Sequence, residues 1–218
     1  MKKITIAIFM LLGFFSMASA EVGVNLGVSG SMGAFTAKGN ETMGTSESGQ
    51  EKRVVSVFGY GSIFIEKTLG DYLTVGVDYV PSALDSETSE TNKKDGTTAA
   101  PTASKSQVIK VSFEDLITYY AAINITENLY VKAGLVEADV ITKESLGTGG
   151  SYGNTSLDGT MMGVGYDKEL TNGMFVRAEG TYTDFDNIKL NSASGETRFV
   201  EAKDIAGVAG KISIGKSF

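Results

Sequence analysis

Apolar and polar residues alternate with a period of two along much of this 218-residue chain, in short runs separated by polar stretches. Val22, Val24, Leu26 and Val28 point one way while Gly23, Asn25, Gly27 and Ser29 point the other. Leu73, Val75, Val77 and Tyr79 repeat the pattern against Thr74, Gly76 and Asp78. Pro81 ends that run because it has no amide hydrogen to give to a ladder. Near the end Val208, Gly210, Ile212, Ile214 and Phe218 share a face opposite Gly207, Ala209, Lys211, Ser213 and Gly215. Further strands are predicted at about residues 53–67, 108–123, 129–141, 156–168 and 174–185, which makes eight, the even count a single-chain membrane barrel needs. In the first of these, Phe58, Tyr60 and Phe64 compete with Val57, Ile63 and Ile65 for the outer face, and a bulge near Gly59 or Gly61 is expected to reconcile them.

The connections alternate in length. Short turns are predicted at residues 68–71, 124–128 and 169–173, and long polar connections at about 38–52, 82–106, 142–155 and 186–203. Three short turns between four long loops is the asymmetry of an eight-stranded antiparallel up-and-down transmembrane β-barrel, with short periplasmic turns and long extracellular loops. A soluble β-sandwich shares the alternation but has no reason to sort its loops by length. Tyr72, Tyr79, Tyr119, Tyr130, Tyr166, Tyr182 and Phe175 lie near predicted strand ends, where aromatic girdles would meet the two membrane interfaces.

The beginning of the chain sets the compartment. Lys2 and Lys3 precede an apolar run from Ile4 to Met17, and Ala18-Ser19-Ala20 supplies a small-residue cleavage pattern. Residues 1–20 are expected to be a cleaved secretory signal and residues 21–218 one barrel domain. No later apolar run approaches the ~20 residues of a transmembrane helix, so membrane insertion must use strands that close on themselves. The chain carries 19 basic and 26 acidic side chains, and without Lys2 and Lys3 the balance is −9. That acidity argues against nucleic acid as a partner. With no cysteine, stability must come from the sheet. The 27 glycines suit a small, strongly coiled barrel, where they relieve crowding on the inner face.

The chemistry available is limited. The chain has neither histidine nor cysteine, so a nucleophile would lack its usual base, and no catalytic residue, cofactor or metal site is expected. Asp85, Glu87 and Glu90 cluster in the second long connection, but Lys93 and Lys94 follow and the spacing is not that of a calcium loop. More telling are Asp78, Lys110, Glu114, Lys132, Arg177, Glu179 and Lys211, which fall on or near strand faces opposite the apolar side. Charge facing lipid at mid-depth costs a few kcal/mol each, so these residues are expected to point inward. Eight strands enclose a lumen about wide enough to be filled by side chains, and there the charges must pair. The network is then either a packed plug or a gate on a narrow polar pathway.

The closing segment Lys211-Ile212-Ser213-Ile214-Gly215-Lys216-Ser217-Phe218 resembles the signal read by the barrel-assembly machinery, with Phe218, Ile214 and Ile212 in register and Lys216 as a departure. With Phe58-Gly59-Tyr60-Gly61, Met162-Gly163-Val164-Gly165-Tyr166-Asp167 and Phe175-Val176-Arg177-Ala178-Glu179-Gly180, it makes the chain similar to the small outer-membrane β-barrel superfamily, which includes opacity-like, OmpA-barrel-like and OmpX-like proteins. That resemblance implies the outer membrane of a Gram-negative bacterium, outer-membrane lipid as surroundings, and the assembly machinery as a partner during biogenesis. Fold does not settle function. The loops suggest a non-enzymatic protein that displays four long polar surfaces to an extracellular partner. The inner charges suggest, as the alternative, a narrow porin-like channel for small solutes, and a soluble ligand-binding β-protein is the third reading.

Overall fold

The computed structural model describes residues 23–43, 52–82, 84–85, 89–94, 104–146, 152–192 and 198–218. The expected signal at residues 1–20 lies outside them. The strands are β1 (Val24–Met43), β2 (Lys52–Leu69), β3 (Leu73–Val80), β4 (Leu84–Asp85), β5 (Ser89–Lys94), β6 (Ser104–Asn124), β7 (Leu129–Leu146), β8 (Thr155–Glu169), β9 (Met174–Phe185), β10 (Ile188–Asn191) and β11 (Arg198–Ser217). Eight of them form the wall, in the order β1-β2-β3-β6-β7-β8-β9-β11, and the antiparallel pairing of β1 with β11 closes the barrel. At the seam the Phe218 amide donates to the Val24 carbonyl at 2.9 Å, and the Val24 amide donates back to Phe218 at 3.3 Å. Closure matters because lipid offers no partner for a free strand edge.

Alternation sets the two faces of the wall. Val28, Met32, Val57, Ile63, Leu135, Met162, Val164, Val208, Ile212 and Ile214 are all exposed and form an outward apolar band. A band this extensive is the surface of a protein whose solvent is lipid. Tyr72 and Tyr166 are exposed near the strand ends on the side where β1 meets the carboxyl terminus. Two aromatics expected in the girdle are elsewhere: Tyr130 and Phe175 are buried and turn inward. Their strand parity, opposite to that of Val131 and Val176, carries them into the lumen.

The pairing also revises β2. Its register with β1 is unbroken from Val24↔Lys67 to Gly39↔Lys52, so no bulge occurs at Gly59 or Gly61. Phe58, Tyr60 and Phe64 face inward throughout, and Val57 and Ile63 are exposed outward. Irregularities fall instead between Thr36 and Lys38 and between Glu114 and Ile117. Asp115 and Asp204 adopt a left-handed backbone, each with φ of 49°, a region that Asp tolerates because its short side chain can bond locally. Asp115 accepts a hydrogen bond from the Tyr79 hydroxyl at 2.8 Å.

Strands continue well into segments expected to be loops. β1 extends to Met43, β7 to Leu146, and β11 starts at Arg198. A strand that leaves the membrane has water on one or both faces, so its residues lose the apolar alternation while its ladder persists. The result is two flaps above the barrel, β5-β6-β7 on one side and β10-β11-β1 on the other.

Candidate functional site

Ion pairs cross the lumen. Strand register places their partners: Lys211 is directly opposite Glu179 and Ser213 opposite Arg177 in the β9–β11 ladder, and Asp167 is opposite Arg177 between β8 and β9. The centre of the network is Glu66. Its Oε1 accepts from Arg177 Nη1 at 2.6 Å and from the Tyr120 hydroxyl at 2.6 Å, and its Oε2 accepts from Arg177 Nη2 at 3.1 Å and Asn25 Nδ2 at 3.2 Å. A carboxylate has about four lone-pair sites, and all four are used here. The fork-to-fork arrangement is the strong form of an Arg–carboxylate pair. Arg177 Nη2 also donates to Asp167 Oδ2 at 3.1 Å. Around the guanidinium stand the rings of Phe175, Tyr130 and Phe64, with centroids 5.0, 5.2 and 5.5 Å from its central carbon. Cation–π attraction is strengthened when the site is desolvated.

Two further pairs complete this floor. Lys132 bridges to Glu179, both side chains 3% exposed, and its ammonium lies 4.6 Å from the Tyr120 ring centroid. Lys211 Nζ donates to Asp78 Oδ2 at 2.6 Å, and Ser62 Oγ donates to the same oxygen at 3.2 Å. The hydroxyls of Ser29 and Ser213 share a hydrogen bond of 2.9 Å beside them.

Of the seven charges expected inside, the structure brings together Asp78, Lys132, Arg177, Glu179 and Lys211. Glu114 stands apart: Val111 and Phe113 line the cavity described below, so alternation turns Glu114 to the outer face, next to Asp139 of β7. That is a correction to its expected inward position, and its cause is the irregularity that follows Glu114 and resets the parity of β6. Lys110 is placed by its backbone alone, opposite Lys143. Sequence reasoning missed Glu66, Asp167, Tyr120 and Tyr130. In the strand predicted at 53–67 two sets of residues compete for the outer face, and only the register of β2 against β1 and β3 puts Glu66 inside.

Above the floor, between the flaps, lies a cavity of about 320 Å³. Its walls are almost wholly apolar: Phe35, Phe58, Leu84, Phe113, Val140, Leu157, Phe185 and Ile205 all contribute. Below the floor is a polar cavity of about 390 Å³ lined by Asn25, Glu66, Asp71, Glu127, Asp167 and Arg177 among others. Among the described residues no group of three or more acidic side chains could hold a metal ion. In the acidic cluster of the second connection, only Asp85 is described with its side chain. It accepts from Ser112 Oγ and lies 3.8 Å from Lys143 Nζ.

The cavity wall has a seam. β2 pairs with β3 only from Ile63 to Leu69, whereas it pairs with β1 along Lys52–Lys67. β3 stops at Val80, before Pro81, and β4 and β5 continue its line along β6 and, among the described residues, form no ladder with β2. Among the described residues, Arg53–Ser62 therefore has a strand on one side only. Continuing the β2–β3 register would set Leu84 opposite Phe58, and both line the cavity. Among the described residues, side chains and not a ladder make the wall at this height.

No family model matches the chain, and no curated protein matches it in sequence. Solved structures do. The outer membrane protein AlkL in lipid bilayers is matched at 11% identity over 93% of each chain, with a TM-score of 0.52. The outer membrane protein OprG from Pseudomonas aeruginosa is matched at 14% identity over 88% of this chain and 96% of that one, with a TM-score of 0.51. The outer membrane protease OmpT from Escherichia coli is matched at 10% identity over 93% and 99%, with a TM-score of 0.45, too remote to bear on chemistry. The fold that these likenesses share with the chain is the small closed antiparallel β-barrel, and the outward apolar band is that of a wall facing lipid.

Proposed function

We propose that this barrel captures small apolar molecules in its outer mouth and passes them sideways into the membrane, without performing chemistry on them. The observation that carries this reading is the apolar cavity of about 320 Å³, packed at its base by Tyr120, Val136 and Met161, with buried ion pairs beneath. A solute in such a cavity has no polar group to bond and gains by leaving water. The way down passes Lys132, Arg177, Glu179 and Lys211, each paired with an opposite charge, and an apolar solute could replace none of those contacts. The seam between β2 and β4 is the other way out, and the proposed exit runs along its β2 side, where Val55 and Val57 are exposed. This gives the expected small-solute channel a different form, in which the inner charges close the axis and selection is by apolarity.

The test uses the absence of tryptophan from the chain. Ile188→Trp places an indole in the cavity wall at β10, and 1-bromooctane serves as an apolar quencher, with the protein in liposomes. Saturable quenching that octane competes away, and that Leu157→Asp abolishes, is the expected result. Quenching that is linear and uncompeted, like that of a lipid-facing Leu135→Trp control, would remove the reading.

The display of polar surfaces to an extracellular partner is a second proposal. It is supported by β1, β6, β7 and β11, each 18 to 21 residues long, where about 9–11 residues suffice to cross a bilayer. Deleting residues 84–106 should abolish such binding while leaving a folded barrel, and unchanged binding would count against it.

A further inference from the structure

Three rings form one continuous part of the cavity wall. Phe35 of β1, Phe58 of β2 and Phe185 of β9 all line it. The centroid of Phe35 lies 5.8 Å from that of Phe58 and 6.5 Å from that of Phe185, with the ring planes tilted by 57° and 44°. The ladders put them together: Phe35 is opposite Gly207, Phe58 is opposite Gly33, and Phe185 is opposite Gly159. Those glycines are seats for the rings. A Cβ on Gly207 would collide with the ring of Phe35, one on Gly33 would lie 3.0 Å from that ring, and one on Gly159 would lie 2.7 Å from the ring of Phe185. Each of these two rings is laid against backbone where a side chain would otherwise stand, and close packing of this kind keeps a ring in one orientation.

Resting on the apolar-capture reading, we propose that the cavity is a site for aromatic hydrocarbons, which it prefers to saturated ones of the same carbon skeleton through Phe35, Phe58 and Phe185. A benzene ring has a negative face and a positive edge, so two such rings attract when they meet edge to face or offset, with centroids about 4.5–7 Å apart. Phe35 is parallel to neither of its two neighbours, so a flat guest lying face-on to one ring meets the edge of the next. A saturated ring has no such quadrupole and gains only from the area it buries. The glycine seats add to the preference, because a wall already in place costs no ordering when the guest arrives. The aliphatic part of the lining, Leu157 and Ile205 among it, accepts either class and receives an alkyl tail.

The test pairs propylbenzene with propylcyclohexane, which share a carbon skeleton and differ in the aromatic ring. Each is used to displace 1-bromooctane from the Ile188→Trp protein in liposomes, with the indole excited at the red edge of its band and the two compared at equal concentration in the lipid. Propylbenzene should displace the quencher at a concentration at least about tenfold lower, as two or three added ring contacts imply. In Phe35→Leu and in Phe58→Leu the quenching should stay saturable and the preference should fall to about twofold or less, since each removes a ring that meets the guest. The indole is present in every variant, so the difference between them belongs to the phenylalanines. Gly207→Ala, which keeps every ring but unseats Phe35, should also lower the preference. The heat shift of each variant in SDS shows that it is folded. Equal displacement by the two compounds, or a preference undiminished in both folded leucine variants, would overturn aromatic selection and leave the capture reading standing. Absence of saturable quenching in the Ile188→Trp protein would overturn both.

Discussion

Glu66 shows how one side chain can depend on the whole lumen around it. It is 1% exposed and accepts four hydrogen bonds from three residues that belong to β1, β6 and β9. Removing one partner of a buried pair leaves an uncompensated charge, which costs about 3–5 kcal/mol. Arg177→Met should therefore destabilise the folded barrel by roughly that amount in urea titrations in lipid, and Glu66→Gln combined with Arg177→Met should recover part of it. A double variant no better than the single one would mean that the pair is not the source of the loss. Tyr130 makes a second demand on a single position. A Cβ placed on Gly165 would lie 2.1 Å from the ring of Tyr130, so Gly165→Val must displace the aromatic wall around Arg177. A loss of about 1–3 kcal/mol is expected, as for other overpacked sites, and Tyr130→Ala should relieve the strain at Gly165→Val in the same assay. Glycine enrichment in the sequence announces crowding of this kind, but the glycines that take it are known only from register.

At the scale of strands, β2 is the informative element. Its inner portion, Ile63–Lys67, has ladders on both edges, and its outer portion, Arg53–Ser62, has β1 alone among the described residues. Amide hydrogen exchange in nanodiscs should separate the two. Uniform protection is expected across residues 63–67, and over 54–61 an alternating pattern in which the amides turned away from β1 exchange much faster. Uniform protection across 54–61 would argue that the seam is filled in solution. Pro81 made the end of β3 readable in advance, because proline has no donor for a ladder. What proline could not reveal is that β2 would run on past that end with, among the described residues, β1 as its neighbour on one side only. The outer strand ends were missed for a related reason: Lys, Glu, Thr and Asn on a watered ladder look like loop residues one at a time.

For the molecule as a whole, the contrast between floor and mouth predicts two observable properties. The axial route is crossed by Lys132–Glu179, Arg177–Glu66 and Lys211–Asp78, so the protein in a planar bilayer should show no discrete porin-like conductance steps. Steps of regular size would restore the axial channel as the principal path. The closed wall should also survive SDS without boiling and shift in mobility when heated, as continuous ladders between β1 and β11 require. A single unshifted band would speak against closure.

Alternation of apolar and polar residues, the absence of an apolar run long enough for a transmembrane helix beyond residues 1–20 and the even number of strands determined that this chain is a membrane barrel, because lipid permits no other way to satisfy a strand-forming backbone. The same alternation marked Asp78, Lys132, Arg177, Glu179 and Lys211 as inward, since their side chains stand opposite the apolar face. Three matters were decided only by tertiary structure: the place of Glu66 at the centre of the network, the turning of Glu114 to the outer face, and the meeting of Phe35, Phe58, Leu157 and Phe185 around one cavity. Each depends on which residues of distant strands stand side by side. Register is a property of pairs of strands, set by bulges and by closure of the sheet, and no single segment carries it.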